Sequence, residues 1–210
     1  MIIATIASII WFQWVAAIFV LALLFVLWFF RDPERTTEAP ENVLVSPADG
    51  KVVEIAEANE PDHIGGAAHK VAIFMSVFDV HVNRAPCGAT VEWVRHESGK
   101  FLNALGPQAS IENERTLVAL RSGEKPVLLK LVAGLIARRI VCEAKEGDRL
   151  TRGQVFGMIK FGSRTELILP KRTGLLIAVQ VGDKVRAGSD VLARVTEVMA
   201  GKGKTRGASD

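Results

Sequence analysis

From Ile2 to Phe30 the chain carries no charged side chain, and Gln13 is the only strongly polar one. At 1.5 Å per residue this segment makes a helix of about 43 Å, whereas a bilayer core of about 30 Å needs roughly 20 residues. Ile, Leu, Val and Phe fill most of its positions, so insertion as a membrane helix is favourable. The surplus length predicts that Ile2 to Ile10 tilts or lies partly in the interface, with Trp11 and Trp14 near one surface and Trp28 near the other. A secretory signal peptide would want a basic start and a small-residue cleavage site, and neither is present. Arg31 and Arg35 follow the span and no Lys or Arg precedes it. The positive-inside rule therefore places the rest of the chain on the cytoplasmic face of the cell membrane.

All 26 Lys and Arg and all 23 Asp and Glu lie beyond this segment, so a soluble-type body is joined to an apolar anchor. With 49% apolar residues overall, the composition excludes a disordered, collagen-like or disulfide-scaffold protein. The expected organisation is an anchor at 1–30, a polar linker at 31–42, a body at 43–197 and a flexible tail at 198–210. The net charge of +3 comes with no dense basic patch apart from Arg138-Arg139 and Lys202, Lys204 and Arg206, which argues against nucleic acid as a partner. Cys87 and Cys142 match no metal or redox spacing and are expected as free thiols.

Within the body the apolar runs are short, rich in Val and Ile, and separated by Gly, Pro or Asp turns, which is a strand signal. Strands are expected at Lys51–Ile55, Val71–Ser76, Ala89–Val94, Arg115–Arg121, Pro126–Leu131, Val155–Ile159, Glu166–Pro170 and Gly174–Val179, and a helix only around Ala133–Ile140. One repeat is visible at a period of 35: Gly147-Asp148 followed by Gly153 recurs as Gly182-Asp183 followed by Gly188. Each copy reads as a tight turn, with Gly supplying positive φ and Asp capping it. Paired turns of this kind resemble the biotinyl/lipoyl barrel-sandwich fold. The expected class is mainly β (α+β), with such an element preceded by the membrane helix.

Three stretches carry chemistry-capable residues: the turn Ser46-Pro47-Ala48-Asp49-Gly50, the segment Phe78 to Pro86 around His81, and Phe161-Gly162-Ser163-Arg164. Taken singly, an Asx turn, a core histidine and a Gly-Ser turn account for them. Asp, His and Ser in this order suggest a hydrolase triad, but the Gly-x-Ser-x-Gly elbow is absent around Ser163. There is no Gly-rich phosphate loop and no clustered His or Cys set for a metal. Composition and spacing by themselves leave the function open.

Read together, the segments resemble a known family. The blocks are Phe29-Phe30-Arg31-Asp32-Pro33-Glu34-Arg35, Ser46 to Gly50, Asp79 to Pro86, and His96-Glu97-Ser98-Gly99-Lys100-Phe101-Leu102-Asn103-Ala104. They continue as Glu112-Asn113-Glu114-Arg115, Gly134-Leu135-Ile136-Ala137-Arg138-Arg139-Ile140, and Arg152 to Arg164. In this order they resemble the short, prokaryotic (archaeal-type) phosphatidylserine decarboxylases, which depend on a pyruvoyl group. Arg164 stands where longer members have Thr after the Gly-Ser pair, and Arg84 where they have a second histidine, which leaves His81 as the histidine to which the resemblance assigns a role.

The resemblance implies a proenzyme that cuts itself between Gly162 and Ser163 into fragments 1–162 and 163–210, which stay paired. Ser163 would become the pyruvoyl group, form a Schiff base with phosphatidylserine at the membrane, and release CO2 to leave phosphatidylethanolamine. His81 would be the base, oriented by Asp49, because a serine hydroxyl is a poor nucleophile until its proton is taken. Arg31, Arg35, Arg138 and Arg139 would attract anionic lipid. No metal is implied, and a homo-oligomer is left open. The competing reading is an export-machine adaptor or a carrier domain. An adaptor calls for basic residues before the span, and a carrier for a modifiable Lys at a hairpin tip, where Lys160 and Lys171 lack a supporting pattern.

Overall fold

The computed structural model of the chain describes residues 2–35, 40, 42–136, 139–160 and 162–196. The apolar segment forms one helix, α1 (Ile2–Phe29), whose Trp11–Phe29 part is long and apolar enough to cross a membrane. Its side chains from Trp11 to Trp28 stand largely exposed, whereas Phe29 is buried in the body. The expected tail, and Arg138 with it, lies outside the described residues.

The body is β-rich. Its strands are β1 (Val43–Val45), β2 (Gly50–Glu60), β3 (Gly66–Met75), β4 (Val82–Arg84), β5 (Ala89–Glu97), β6 (Arg115–Ser122) and β7 (Lys125–Val132), followed by β8 (Ile140–Cys142), β9 (Arg149–Leu150), β10 (Val155–Ile159), β11 (Ser163–Pro170), β12 (Leu175–Ile177), β13 (Lys184–Val185) and β14 (Val191–Val195). Eight of them form one antiparallel sheet in the order β13-β2-β3-β11-β7-β6-β5-β9. Two three-stranded sheets, β1-β14-β12 and β4-β10-β8, pack against it. Val52, Val71, Ile73, Leu129, Leu131, Phe156, Leu167 and Leu192 are among the side chains that fill the core. The mainly β reading holds, and every expected strand is present: most run longer than expected, Val155–Ile159 has the expected bounds, and Gly174–Val179 shortens to Leu175–Ile177.

The helix expected at Ala133–Ile140 is not found among the described residues of that stretch. Ala133 donates its N–H to the Glu114 carbonyl at 2.9 Å, Gly134 to Ile136 are irregular, and Ile140 opens β8. Gly134 is a poor helix residue, and the strand pairing of its neighbours prevails over their propensity. The helix found in the body, α2 (Ala109–Glu112), is a single turn between β5 and β6.

The sequence repeat is a structural one. The Gly147 N–H donates to Val91 O while Val91 N–H donates to Asp148 O, both at 2.8 Å, and Gly182, Val52 and Asp183 make the same exchange at the same distances. Each Asp carboxylate accepts the N–H three residues before it, from Lys145 and Gln180, at 2.8 Å. The second glycines, Gly153 (φ +80°) and Gly188 (φ +72°), meet: a Cβ on Gly188 would lie 3.5 Å from Gly153 Cα and 3.0 Å from Arg84 Cδ. The same offset carries β8 onto β12 and β9 onto β13, so each half supplies one edge strand of the large sheet.

Strand β11 lies at the centre, between β3 and β7. Ser163, Thr165 and Leu167 point to one face, with Leu167 in the core, and Arg164 and Glu166 point to the other. There the Arg164 Nε donates to Glu166 Oε1 at 2.6 Å and its Nη2 to Glu54, while Ser110 Oγ donates to Glu166 Oε2 at 2.9 Å and Lys130 Nζ lies 3.6 Å from it. Lys70 Nζ closes the cluster on Glu54 at 2.7 Å. Partial burial works to raise the Glu54 carboxyl, but Lys70 and Arg164 prevail and hold it below the ordinary carboxylate range. Removing one partner of a buried pair leaves an uncompensated charge, at a cost of roughly 3–5 kcal/mol. Arg164→Leu is therefore expected to lower the thermal midpoint of the detergent-solubilised protein by about 10 °C; a midpoint unchanged in circular dichroism would remove the cluster from the determinants of stability.

Candidate active site

The end of the sheet where β11 begins is set by register. Ser163 pairs with Met75, the last residue of β3, and Arg164 pairs with Val132, the last residue of β7. Ser163 is fully buried, and its Oγ donates to Met75 Sδ at 3.4 Å. A thioether is a weak acceptor, so the hydroxyl proton is loosely held. Gly162, at φ +63°, makes the bend into the strand. Its carbonyl lies hard against Gly134, where a Cβ would sit 1.7 Å from the Gly162 oxygen. The Gly162–Ser163 linkage is thus held between two glycines.

The second sheet brings His81 to this end. Ile159 N–H donates to the His81 carbonyl at 3.3 Å, and from Ile159 the chain runs through residues 160–162 into Ser163. Two residues after His81, Asn83 Nδ2 donates to Thr165 Oγ1 at 3.0 Å, so the side of β4 that carries Asn83 faces the side of β11 that carries Thr165. Ser163 lies on the Thr165 side of β11, and His81 directly precedes β4 in the chain. His81 Nδ1 lies 2.9 Å from the Asp79 carbonyl, which can only accept, so this nitrogen carries the hydrogen and Nε2 the lone pair. Asp79 is in turn fixed by its carboxylate, which accepts from Ser76 N–H at 2.8 Å and Ser76 Oγ at 2.7 Å. The imidazole is fully buried against Phe29, at 4.4 Å between ring centroids. Burial pushes its pKa below the ordinary imidazole value, opposed by Asp79 and reinforced by the Arg31 charge. The ring is therefore neutral near pH 7 and suited to accept a proton.

Asp49 lies elsewhere in the network. Its Oδ1 accepts the Ala187 N–H at 2.7 Å and its Oδ2 the Arg35 guanidinium at 2.8 Å. Burial raises its pKa against those two partners. The sequence suggested that Asp49 orients His81; in the structure the His81 Nδ1 faces the Asp79 backbone carbonyl, while the Asp79 carboxylate is taken up by Ser76. Arg84, in the place of a second histidine, donates to Gly153 O at 2.8 Å, Asp32 Oδ1 at 2.5 Å and Pro33 O at 3.1 Å. Asp49 and Arg84 together clamp the segment that leaves α1.

Sequence reasoning missed Gly134, Phe29, Asn83 and Met75. A glycine interrupting an apparent helix was the available signal for Gly134; Phe29, read as the end of the membrane segment, had none. Cys87 and Cys142 are free thiols, as expected, and burial raises both above the ordinary thiol range. Among the described residues no group of three or more His, Cys, Asp or Glu is placed to hold a metal ion.

The sequence model of the family described as phosphatidylserine decarboxylase matches residues 22–193. A phosphatidylserine decarboxylase proenzyme of Rhodopirellula baltica is 50% identical over 188 residues, which cover 88% of this chain and 78% of that protein. Proteins of the same name from Carboxydothermus hydrogenoformans and Syntrophus aciditrophicus are 47% and 46% identical, covering 87% and 86% of this chain and 85% and 84% of theirs. Similarity on this scale, over most of the chain and of its relatives, has one reading: the chain belongs to the phosphatidylserine decarboxylase family.

Proposed function

We propose that the chain is the proenzyme of a pyruvoyl-dependent decarboxylase that converts phosphatidylserine to phosphatidylethanolamine and CO2 on the cytoplasmic face of the membrane. The observation that carries this reading is the buried Ser163 hydroxyl, next to the Gly162 carbonyl that Gly134 backs, with the buried His81 tied to the same end of the sheet through the Ile159 N–H. In the first step Ser163 Oγ loses its proton to His81 Nε2 and bonds to the Gly162 carbonyl carbon. The C–N bond of the Gly162–Ser163 peptide breaks, and the amine takes up the proton, leaving an ester. In the second, the Ser163 Cα proton leaves and the Cβ–Oγ bond breaks, which frees the Gly162 carboxylate. Water then replaces nitrogen at the former Ser163 Cα, ammonia departs, and a pyruvoyl group caps the fragment 163–210.

The residues present fit that group. Gly162 brings no Cβ to hinder the hydroxyl's approach to its own carbonyl, and Met75, Phe29 and Leu131 keep the surroundings apolar. When formed, the ketone supplies an electron sink for decarboxylation. His81, neutral and dry, accepts or returns the proton, and the Asp79 carbonyl holds its ring in place. Asp49 and Arg84 act at a distance by pinning Arg35 and Asp32, and so the foot of the membrane helix, to the body.

Mass spectrometry of the purified full chain tests the proposal. Two pieces are expected, 1–162 and 163–210, the second lacking a free amine and reacting with hydroxylamine, while Ser163→Ala and His81→Ala each stay in one piece. An intact chain that still releases CO2 from phosphatidylserine would falsify the scheme. Gly134→Ala, whose Cβ meets the Gly162 oxygen, is expected to stop cleavage altogether, and normal processing of this variant would show that the carbonyl need not lie where it does. Phe29→Ala admits water to His81 and lets its pKa rise toward the ordinary value, so at a given pH less of the imidazole is neutral. The acid limb of the cleavage rate should then move to higher pH; slowing by the same factor at every pH would point to general loosening.

A further inference from the structure

Register brings several connections to one end of the large sheet. The segment after β3 leaves from Met75, opposite Ser163, and the segment after β7 leaves from Val132, opposite Arg164. Glu97, the last residue of β5, pairs with Arg115, the first of β6, and Arg115 pairs with Val132, so the connection between β5 and β6 emerges here too. Large apolar side chains on these connections face solvent, among them Phe78, 70% exposed, Leu105, 50%, Leu135, 63%, and Ile136, 64%. Leu135 and Ile136 follow Gly134, which touches the Gly162 carbonyl, and Ala104 approaches Gly134 from the other side. A soluble domain rarely gathers such side chains around a reactive residue unless something apolar covers them.

The foot of α1 fixes what that is. The Phe78 ring meets the Trp28 ring edge-on at 6.3 Å between centroids, and Arg31 Nη2 donates to the Phe78 carbonyl at 3.1 Å. Trp28 lies in the last turn of the apolar helix, at the level where a span meets the headgroups. Phe78 is therefore at bilayer height by construction, and the rim around Ser163 continues from it. Cations accompany it: Arg31 stacks on Trp28 at 4.1 Å, Lys160 on Phe30 at 5.3 Å, and the Arg139 carbonyl accepts from Lys160 N–H at 3.5 Å. Of the nearby acids, Asp79 turns its carboxylate toward Ser76, Asp32 pairs with Arg84 and Glu112 with Lys100.

We propose that this end of the body is itself a membrane-binding surface. Phe78, Leu105, Leu135 and Ile136 enter the interface of an anionic bilayer around Ser163, with Arg31, Arg139 and Lys160 meeting the headgroup phosphates. Lipid then reaches the reactive centre sideways from the leaflet; this second part rests on the decarboxylase reading, whereas the seating does not.

Two measurements on the full chain separate these parts. The first uses Cys142→Ser protein carrying Ile136→Cys or Glu124→Cys, labelled with an environment-sensitive fluorophore and reconstituted in phosphatidylserine–phosphatidylcholine vesicles. Glu124 lies in the turn between β6 and β7, about 25 Å along the strand from this end. Acyl-chain spin labels should quench the probe at 136 and spare the one at 124; equal quenching, or none at 136, overturns the seating. The second compares Leu135→Asp/Ile136→Asp with the parent. Turnover of long-chain phosphatidylserine in vesicles should fall about tenfold, while self-cleavage and turnover of a monomeric dihexanoyl substrate persist. Equal loss on both substrates, or no loss on vesicles, overturns sideways delivery. A parent that neither cleaves nor decarboxylates would instead sink the decarboxylase reading and leave the quenching result standing.

Discussion

The structure depends on the register of one strand. Because side chains alternate along β11, Ser163, Thr165 and Leu167 must share a face, and Arg164 and Glu166 the other. A slip of one residue would drive a guanidinium and a carboxylate into the apolar core and expel the serine from it. Both neighbours, β3 and β7, hold this register over most of their length, and the ionic cluster of Arg164, Glu166, Glu54, Lys70 and Lys130 specifies it on the outer face. Strands of Val, Ile and Leu alone would pair nearly as well one residue out of step. The cluster thus contributes specificity where apolar burial contributes stability.

The apolar helix reaches into the body beside the candidate site. Phe29 is the one residue of its exposed C-terminal half that is buried, and it is buried against His81. Its position is held by two ion pairs to the segment that follows, Arg84 to Asp32 and Arg35 to Asp49, and both arginines crowd Gly188 where the two halves of the repeat meet. The anchor, the pseudo-twofold contact and the dry surroundings of the histidine are therefore one mechanical unit. A body tethered only by a loose linker could not keep an aromatic ring of the apolar helix packed against His81.

Much of this was legible from residue order. The uncharged run announced the helix, the short Val- and Ile-rich runs announced strands, and the spacing of Gly-Asp pairs announced a duplicated turn whose two copies make matching hydrogen bonds. The candidate serine and histidine were legible through the resemblance rather than through any local pattern. The segment after β7 was misread because its apolar residues and Arg138-Arg139 look helical, whereas Gly134 serves a contact with a residue 28 positions later in the chain. Asp49 was likewise read from residue types alone. A carboxylate, a histidine and a serine suggest a triad, but the carboxylate was needed by Arg35 and the imidazole found a backbone carbonyl two residues away.

What the sequence determined by itself is what local chemistry determines: hydropathy sets where a bilayer can be crossed, periodicity sets strand from helix, and a glycine before a serine permits a bend at φ +63°. Only the tertiary structure decided which groups meet. The placement of Gly134 on the Gly162 carbonyl, of Phe29 on His81, and of Phe78 on Trp28 follows from the order of strands in a sheet. That order is fixed by burial summed over the whole body, and no window of the sequence contains it.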